Sequence, residues 1–296
     1  MTTLRSSFVH RFWVLVLSSS FFVLSSSVLA PAAQQAANVL VGYCVGLKGV
    51  ETAKAAGFDF VELGVTEIAA LSDEEFEAAL TRVKQAGIPT PNANLFIPAS
   101  MKLTGPEAAD PEQVMAYVGK AFGRLNRLGV KIVCFGSGGA RRVPDGFSKE
   151  EAFKQLVAFG KRAAREAKAH GITIVIEPLR QQETNIINTA ADGLALVAAV
   201  SDPNFELLID FYHLASEKED PAIIIRAADH IRHLHMANPQ GRVFPLEWGE
   251  FDYAPFFANL RKIGYAGRIS VEASSKDVPS EGPRAIALLR RAFQPQ

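Results

Sequence analysis

The chain has 296 residues, is 48% hydrophobic and 21% charged, and carries 31 basic against 31 acidic side chains. That length and apolar fraction suffice for one large domain with a real core, and the balanced charge excludes a broad electrostatic footprint for nucleic acid. Cys44 and Cys134 are the only cysteines, which excludes a disulfide-built scaffold and a cysteine-built zinc site.

The chain starts with Arg5, His10 and Arg11, runs through an apolar stretch at 12–24 broken by Ser18, Ser19 and Ser20, and reaches Ala30-Pro31-Ala32. A basic start, a short apolar run and a small-x-small site predict a secretory signal peptide at 1–32, with the mature domain at 33–296. The run is too short and too rich in serine to span a bilayer, so no stable membrane insertion is expected after cleavage. Removal takes two arginines and no acid, leaving a slightly acidic chain that is expected in the periplasm or outside the cell. An oxidising compartment permits a Cys44–Cys134 bridge, but both cysteines sit in predicted strands far apart in the chain and read as buried free thiols.

Eight short apolar runs predict strands at 39–44, 58–63, 91–96, 131–135, 173–177, 206–210, 231–236 and 268–272. Most lack polar alternation, as strands buried on both faces of a parallel sheet do. Helical periodicity falls between them, at 47–56, 73–85, 111–128, 148–170, 190–200, 221–228, 253–263 and 281–293. Ser72 and Asp110 are placed as caps, Pro111 as a first helical residue, Ser148 and Glu151 as a capping box, and Gly87, Gly129 and Gly171 as stops. Alternation of strand and helix over this length predicts a (β/α)8 TIM barrel, an α/β fold in a single domain. A doubly wound open sheet is the alternative, but the first loop, Val45-Gly46-Leu47-Lys48-Gly49, carries no phosphate fingerprint.

In such a barrel, chemistry sits where strands end. Strand 2 ends near Glu62, strand 5 at Glu177, strand 6 at Asp210 followed by Tyr212 and His213, strand 7 around His233 and His235, and strand 8 at Glu272. Each residue taken singly could be a salt-bridged or capping group. Together, Glu177, Asp210, His235 and Glu272 on consecutive strands point into one small volume, where three carboxylates would repel unless protonated or bound to a cation. Three oxygens and one imidazole, with no thiolate, favour one divalent ion, Mn²⁺ first with Mg²⁺ or Co²⁺ as alternatives, over structural zinc.

The chain resembles the xylose-isomerase-like barrel superfamily, in particular sugar isomerases and epimerases of the D-tagatose 3-epimerase type. The resemblance rests on Val61-Glu62-Leu63-Gly64, Glu177-Pro178-Leu179 with Glu183-Thr184-Asn185, Asp210-Phe211-Tyr212-His213, His233-Leu234-His235 and Val271-Glu272, and on the loop at 136–144. It implies that Glu177, Asp210, His235 and Glu272 are the metal ligands, and that Glu177 and Glu272 also act as acid and base on opposite faces of the substrate carbon. It implies substrate contacts at Glu183, His213 and Arg242, and makes a homo-oligomer compatible with the family. His213 can equally orient a ligand. Glu62 fits a substrate contact and a barrel-interior ion pair alike, and His233 reads as a packed inner-layer residue.

The expected activity is therefore a divalent-metal-dependent isomerase or epimerase that abstracts a proton beside the carbonyl of a ketose or keto-sugar. A keto-glycoside lyase or hydratase would use the same site. A DNA-repair endonuclease is disfavoured by six histidines in total, neutral charge and expected export. A barrel that only binds carbohydrate would be suggested by loss of a ligand-type residue, and none is lost. Ser137, the glycines, Arg141 and Arg142 in the loop at 136–144 invite a phosphate reading, against which the arginines could pair with neighbouring acids. Phe96, Tyr212, Phe244 and Trp248 fall near the same rim, as sugar-facing walls or as packing.

Overall fold

Eight parallel strands follow one another and close in sequence order: β1 (Leu40–Cys44), β2 (Phe60–Gly64), β3 (Asn92–Asn94), β4 (Ile132–Phe135), β5 (Thr173–Ile176), β6 (Phe205–Asp210), β7 (Ile231–Met236) and β8 (Arg268–Val271), with β8 paired back to β1. This computed structural model describes residues 39–294, so the signal peptide expected at 1–32 lies outside the described residues. The (β/α)8 TIM barrel expected from the sequence is the fold observed. Strand β3 is shorter than its apolar run because Leu95 takes a left-handed φ of 53° and ends it.

Successive strand residues point to opposite faces, and the two faces build two different interiors. Val61, Val133, Ile174, Ile209, Leu234 and Ile269 join the helices in one large apolar core around the barrel. The alternate positions face the lumen, where Cys134, Val175 and Leu208 form a separate small cluster. Ile132 packs against that cluster, and much of the rest of the lumen is polar, with Glu62, His233, His235 and Ser270 all fully buried. Phe60 fills the space beside β1, and Gly42 has to be glycine, since a Cβ there would lie 2.2 Å from the Phe60 ring.

The long helices begin and end where their caps lie. Asp73–Ala86 opens on a complete Ser72–Glu75 capping box and stops at Gly87, and Pro111–Leu128 opens on Asp110 and stops at Gly129. At Lys149–Ala169 only half of the expected box forms: Ser148 accepts from the Glu151 N–H, while the Glu151 carboxylate turns to Lys154. The last helix, Val278–Ala292, starts earlier than expected, because Pro279 lies in the first turn, where its missing N–H costs nothing. Three short helices escape sequence periodicity, Val65–Ala70, Gly138–Arg141 and Phe211–Ser216, which follow β2, β4 and β6. Each is too short to show a 3.6-residue repeat. No helix among the described residues is long and apolar enough to cross a membrane.

Candidate metal centre

Strand parity assembles the site. Val175 and Leu208 face the lumen, and so do Glu177 and Asp210 two residues further on; His233 and Ser270 place His235 and Glu272 in the same way. A register shift between Leu207 and Leu208 sets Asp210 opposite His235, and His235 in turn lies opposite Ser270. As a result, donor atoms of Glu177, Asp210, His235 and Glu272 all lie within 4.8 Å of one another. The cluster sits at the base of a cavity of about 890 Å³, with Glu177 and Glu272 reaching its wall.

His235 Nδ1 is 2.9 Å from Glu177 Oε1 and 3.5 Å from Glu272 Oε2. Asp210 caps the helix Phe211–Ser216, its Oδ1 accepting the Tyr212 N–H at 2.9 Å. Its other oxygen, Oδ2, is buried with no partner among the described residues, and so is His213 Nε2, 3.6 Å away. A buried carboxylate oxygen left bare among other oxygens fits a cation-binding position better than a structural one. Burial, reinforced by the Glu177 and Glu272 carboxylates, pushes the Asp210 carboxyl up to about 8. Burial disfavours charge on His235, but Glu62, Glu177 and Glu272 outweigh it and hold the imidazole well above its usual range. The cluster thus relieves its own repulsion by holding protons, which a divalent cation can replace. Three carboxylates and one imidazole fit Mn²⁺, Mg²⁺ or Co²⁺.

Glu183 and Arg242 meet in the cavity wall. Arg242 donates to Glu272 Oε2 at 2.6 Å and to Glu183 Oε1 at 3.3 Å, from a left-handed backbone with φ of 51°. Its guanidinium lies 4.7 Å from the centre of the Tyr212 ring, and that of Arg180 lies 4.9 Å from the same ring.

Neither His213 nor Glu62 lies in that wall. His213 stands behind Asp210, and its Nδ1 accepts the Arg180 N–H at 3.2 Å. Burial and the nearby Arg242 charge push its imidazole down to about 3, so it is neutral around pH 7. Of its two readings, the ligand-orienting one matches this placement. Glu62 lies beneath the cluster, bonded to His233, His235 and Ser270, so the interior ion pair is the reading its geometry matches. His233 is packed inside the barrel, as expected.

The loop at 136–144 does not present its first arginine to the cavity. Arg141 is fully buried and donates to the carbonyls of Phe135 at 2.8 Å and Glu177 at 2.7 Å, fixing the backbone that carries Glu177. Phe96, Tyr212 and Phe244 are buried, and Trp248 packs against Tyr253 and Phe257. Cys44 and Cys134 are both free thiols.

Sequence reasoning passed over Asn94 and read Cys134 only as a buried thiol. Asn94 Nδ2 donates to Glu272 Oε1 at 3.2 Å, and the Cys134 thiol donates to Glu177 Oε2 at 3.1 Å. The available signal was a polar residue at inward positions of β3 and a cysteine at an inward position of β4. Gly136 belongs with them, since a Cβ there would lie 2.5 Å from Glu177 Oε2. Gly136→Ala is expected to displace that carboxylate by roughly 1 Å and to lower kcat by about 10²-fold, with the fold retained by circular dichroism.

The sequence model of the family described as xylose isomerase-like TIM barrel matches residues 50–292. An L-ribulose 3-epimerase of Methylomonas sp. (strain DH-1) is 30% identical over 78% of this chain and 79% of its own length. Among solved structures, a D-psicose 3-epimerase from Clostridium cellulolyticum H10 superposes with a TM-score of 0.77 at 20% identity, covering 87% of this chain and all of that one. A 3-keto-D-glucoside 4-epimerase from E. coli superposes at 0.68 with 20% identity, covering 86% of this chain and 99% of that one. At such identities the two structures speak for the fold alone.

Proposed function

Because the chain belongs to the xylose isomerase-like TIM barrel family, we propose that it is a divalent-metal-dependent isomerase or epimerase of ketoses or keto-sugars. The observation that carries the reading is the ring of Glu177, Asp210, His235 and Glu272, with a bare Asp210 oxygen, at the base of the cavity. When bound by these residues, a divalent cation, Mn²⁺ in the first place, supplies the positive charge that stabilises an oxyanion developing at the substrate carbonyl.

The chain's own residues do the proton work. Glu177 and Glu272 take a proton from the carbon beside the carbonyl on one face and return one on the other. Arg242 braces Glu272, and with Glu183 it offers hydrogen bonds to substrate hydroxyls. Arg242 is the sole cation among the described residues lining the cavity and is already engaged by two carboxylates, which favours an uncharged sugar over a phosphorylated one. A keto-glycoside lyase or hydratase is the second reading. A cavity of about 890 Å³ favours it, being near the upper end of small-molecule sites at about 300–1,000 Å³.

Residues 1–32 are proposed to direct export, which an intact mass starting at Ala33 in the periplasmic fraction would test. For the reaction, metal content is compared between wild type and Asp210→Asn, and both are incubated with free ketoses and keto-glycosides in D₂O. The expected result is one divalent ion per chain, lost in the variant, with deuterium entering beside the carbonyl. An epimer as product identifies epimerisation, and an eliminated or hydrated product the second reading. Wild-type protein that holds no cation and exchanges no proton would overturn both and leave a barrel that only binds carbohydrate.

A further inference from the structure

The proton transfers use Glu177 and Glu272, whereas the carboxylate of Glu62, one layer deeper, touches no substrate-facing atom. It is fully buried, in surroundings where a carboxylate needs every oxygen engaged. Its Oε2 is 2.9 Å from His233 Nε2 and accepts the Ser270 hydroxyl at 2.7 Å. Its Oε1 is 3.2 Å from His235 Nε2. The opposite ring nitrogen, Nδ1, faces the cluster, 2.9 Å from Glu177 Oε1.

A neutral imidazole has one proton for two nitrogens, and a carboxylate can only accept. When a cation takes the place of the second proton, a hydrogen bond to Glu62 therefore keeps the remaining proton on Nε2 and turns the Nδ1 lone pair to Glu177, Asp210 and Glu272. The ring has no room to turn over: it is fully buried and packs edge-on against His233, with centroids 5.1 Å apart at 86°. Ser270 and His233 occupy one oxygen of Glu62 and so aim the other at His235.

From this geometry we propose that Glu62 is a positioning residue that holds His235 by Nε2 and makes Nδ1 the metal-ligating atom. The inference rests on the metal reading above and extends it to a residue that contacts neither cation nor substrate. A carboxylate bonded to the outer nitrogen of a ligating histidine fixes its orientation and tautomer, and losing such a partner weakens metal affinity by about 10–100-fold.

Glu62→Gln tests this without changing volume. The amide carries no charge and offers an acceptor at one end only, so its hold on the His235 Nε2 proton is weaker than the carboxylate's. Mn²⁺ binding to the folded, metal-free proteins is measured by calorimetry, beside the thermal stability of the same samples. The expected result is affinity about 10–100-fold weaker in the variant. A purely structural role for Glu62 would lower the thermal midpoint and leave Mn²⁺ affinity unchanged, and that outcome overturns the inference alone. Wild-type protein that takes up no Mn²⁺ overturns the metal reading and the inference with it.

A second measurement needs no variant. In ¹⁵N-histidine-labelled, Co²⁺-loaded wild type, a hyperfine-shifted, slowly exchanging proton on His235 Nε2 is expected. A proton on Nδ1 with Nε2 bare overturns the inference even if Glu62→Gln fails to fold.

Discussion

In Glu177→Gln, with metal saturating, exchange of the substrate's carbon-bound proton for solvent deuterium is expected to fall by about 10²–10⁴-fold for one epimer and to persist for the other. The amide keeps the size of the side chain but cannot take up a proton. Two bases on opposite faces divide the work: each removes the proton from one epimer and, in the reverse direction, delivers the proton that forms that same epimer. Glu272→Gln is therefore expected to show the mirror pattern, with exchange lost for the epimer that Glu177→Gln still processes. The surroundings make these substitutions informative. Glu177 is held by His235 at 2.9 Å and Cys134 at 3.1 Å, and Glu272 by Arg242 at 2.6 Å and Asn94 at 3.2 Å, so neither carboxylate can swing across to replace the other. Equal loss for both epimers in either variant would refute the two-base division. Exchange measured by NMR, epimer by epimer, decides it.

The metal-free protein is expected to lose stability as pH rises from about 6.5 to about 8, and divalent-cation affinity is expected to rise over the same interval. The sign follows from proton counts. Asp210 in the folded chain holds its proton up to about 8, whereas an unfolded aspartate has released its own far below that. His235, held well above its usual range chiefly by Glu62 against the effect of burial, also keeps a proton that the unfolded chain loses near 6.5. The native state thus binds more protons than the unfolded state in this window, and stability falls by about 1.4 kcal/mol per pH unit for each proton retained. His213, pushed down to about 3 by burial, and His233, lowered by burial, are neutral in the folded chain. Their unfolded counterparts release protons near 6.5, so the two oppose the slope at the lower end of the window and leave it alone towards pH 8. Below 6.5 the two act in the opposite sense to Asp210 and outnumber it, so stability there no longer falls with pH. A cation displaces the Asp210 and His235 protons, so each proton released strengthens affinity up to tenfold per pH unit. Thermal melts with and without Mn²⁺, and calorimetry in buffers of different ionisation enthalpy, measure both slopes. Asp210→Asn is expected to remove its share of the stability slope.

The four residues of the candidate metal site were legible because they obey a local rule. A carboxylate or imidazole directly after an apolar run is visible in one dimension, and four of them on successive predicted strands needed only barrel closure to converge. The strands themselves were legible for the same reason, with 231–236 recovered to the residue, because apolar runs bounded by turn signals are local properties. The short helix Phe211–Ser216 was not, although it orients Asp210 through a backbone N–H, since six residues cannot display a helical repeat.

What the sequence by itself determined is the barrel, the identity of the four ligand-type residues and the strand ends they occupy, all consequences of periodicity and residue chemistry within a short window. Only the tertiary structure decided the support around them. It put Glu62 and His213 beneath and behind the ring and turned Arg141 inward onto the Phe135 and Glu177 carbonyls. It also brought Asn94 and Cys134 against the two proposed bases. The contact between Glu62 and Ser270 spans 208 residues of sequence and that between Asn94 and Glu272 spans 178. Such contacts depend on how strand tilt and register close the sheet, and on the Leu207/Leu208 register shift that aligns Asp210 with His235, and no residue's own neighbours encode either.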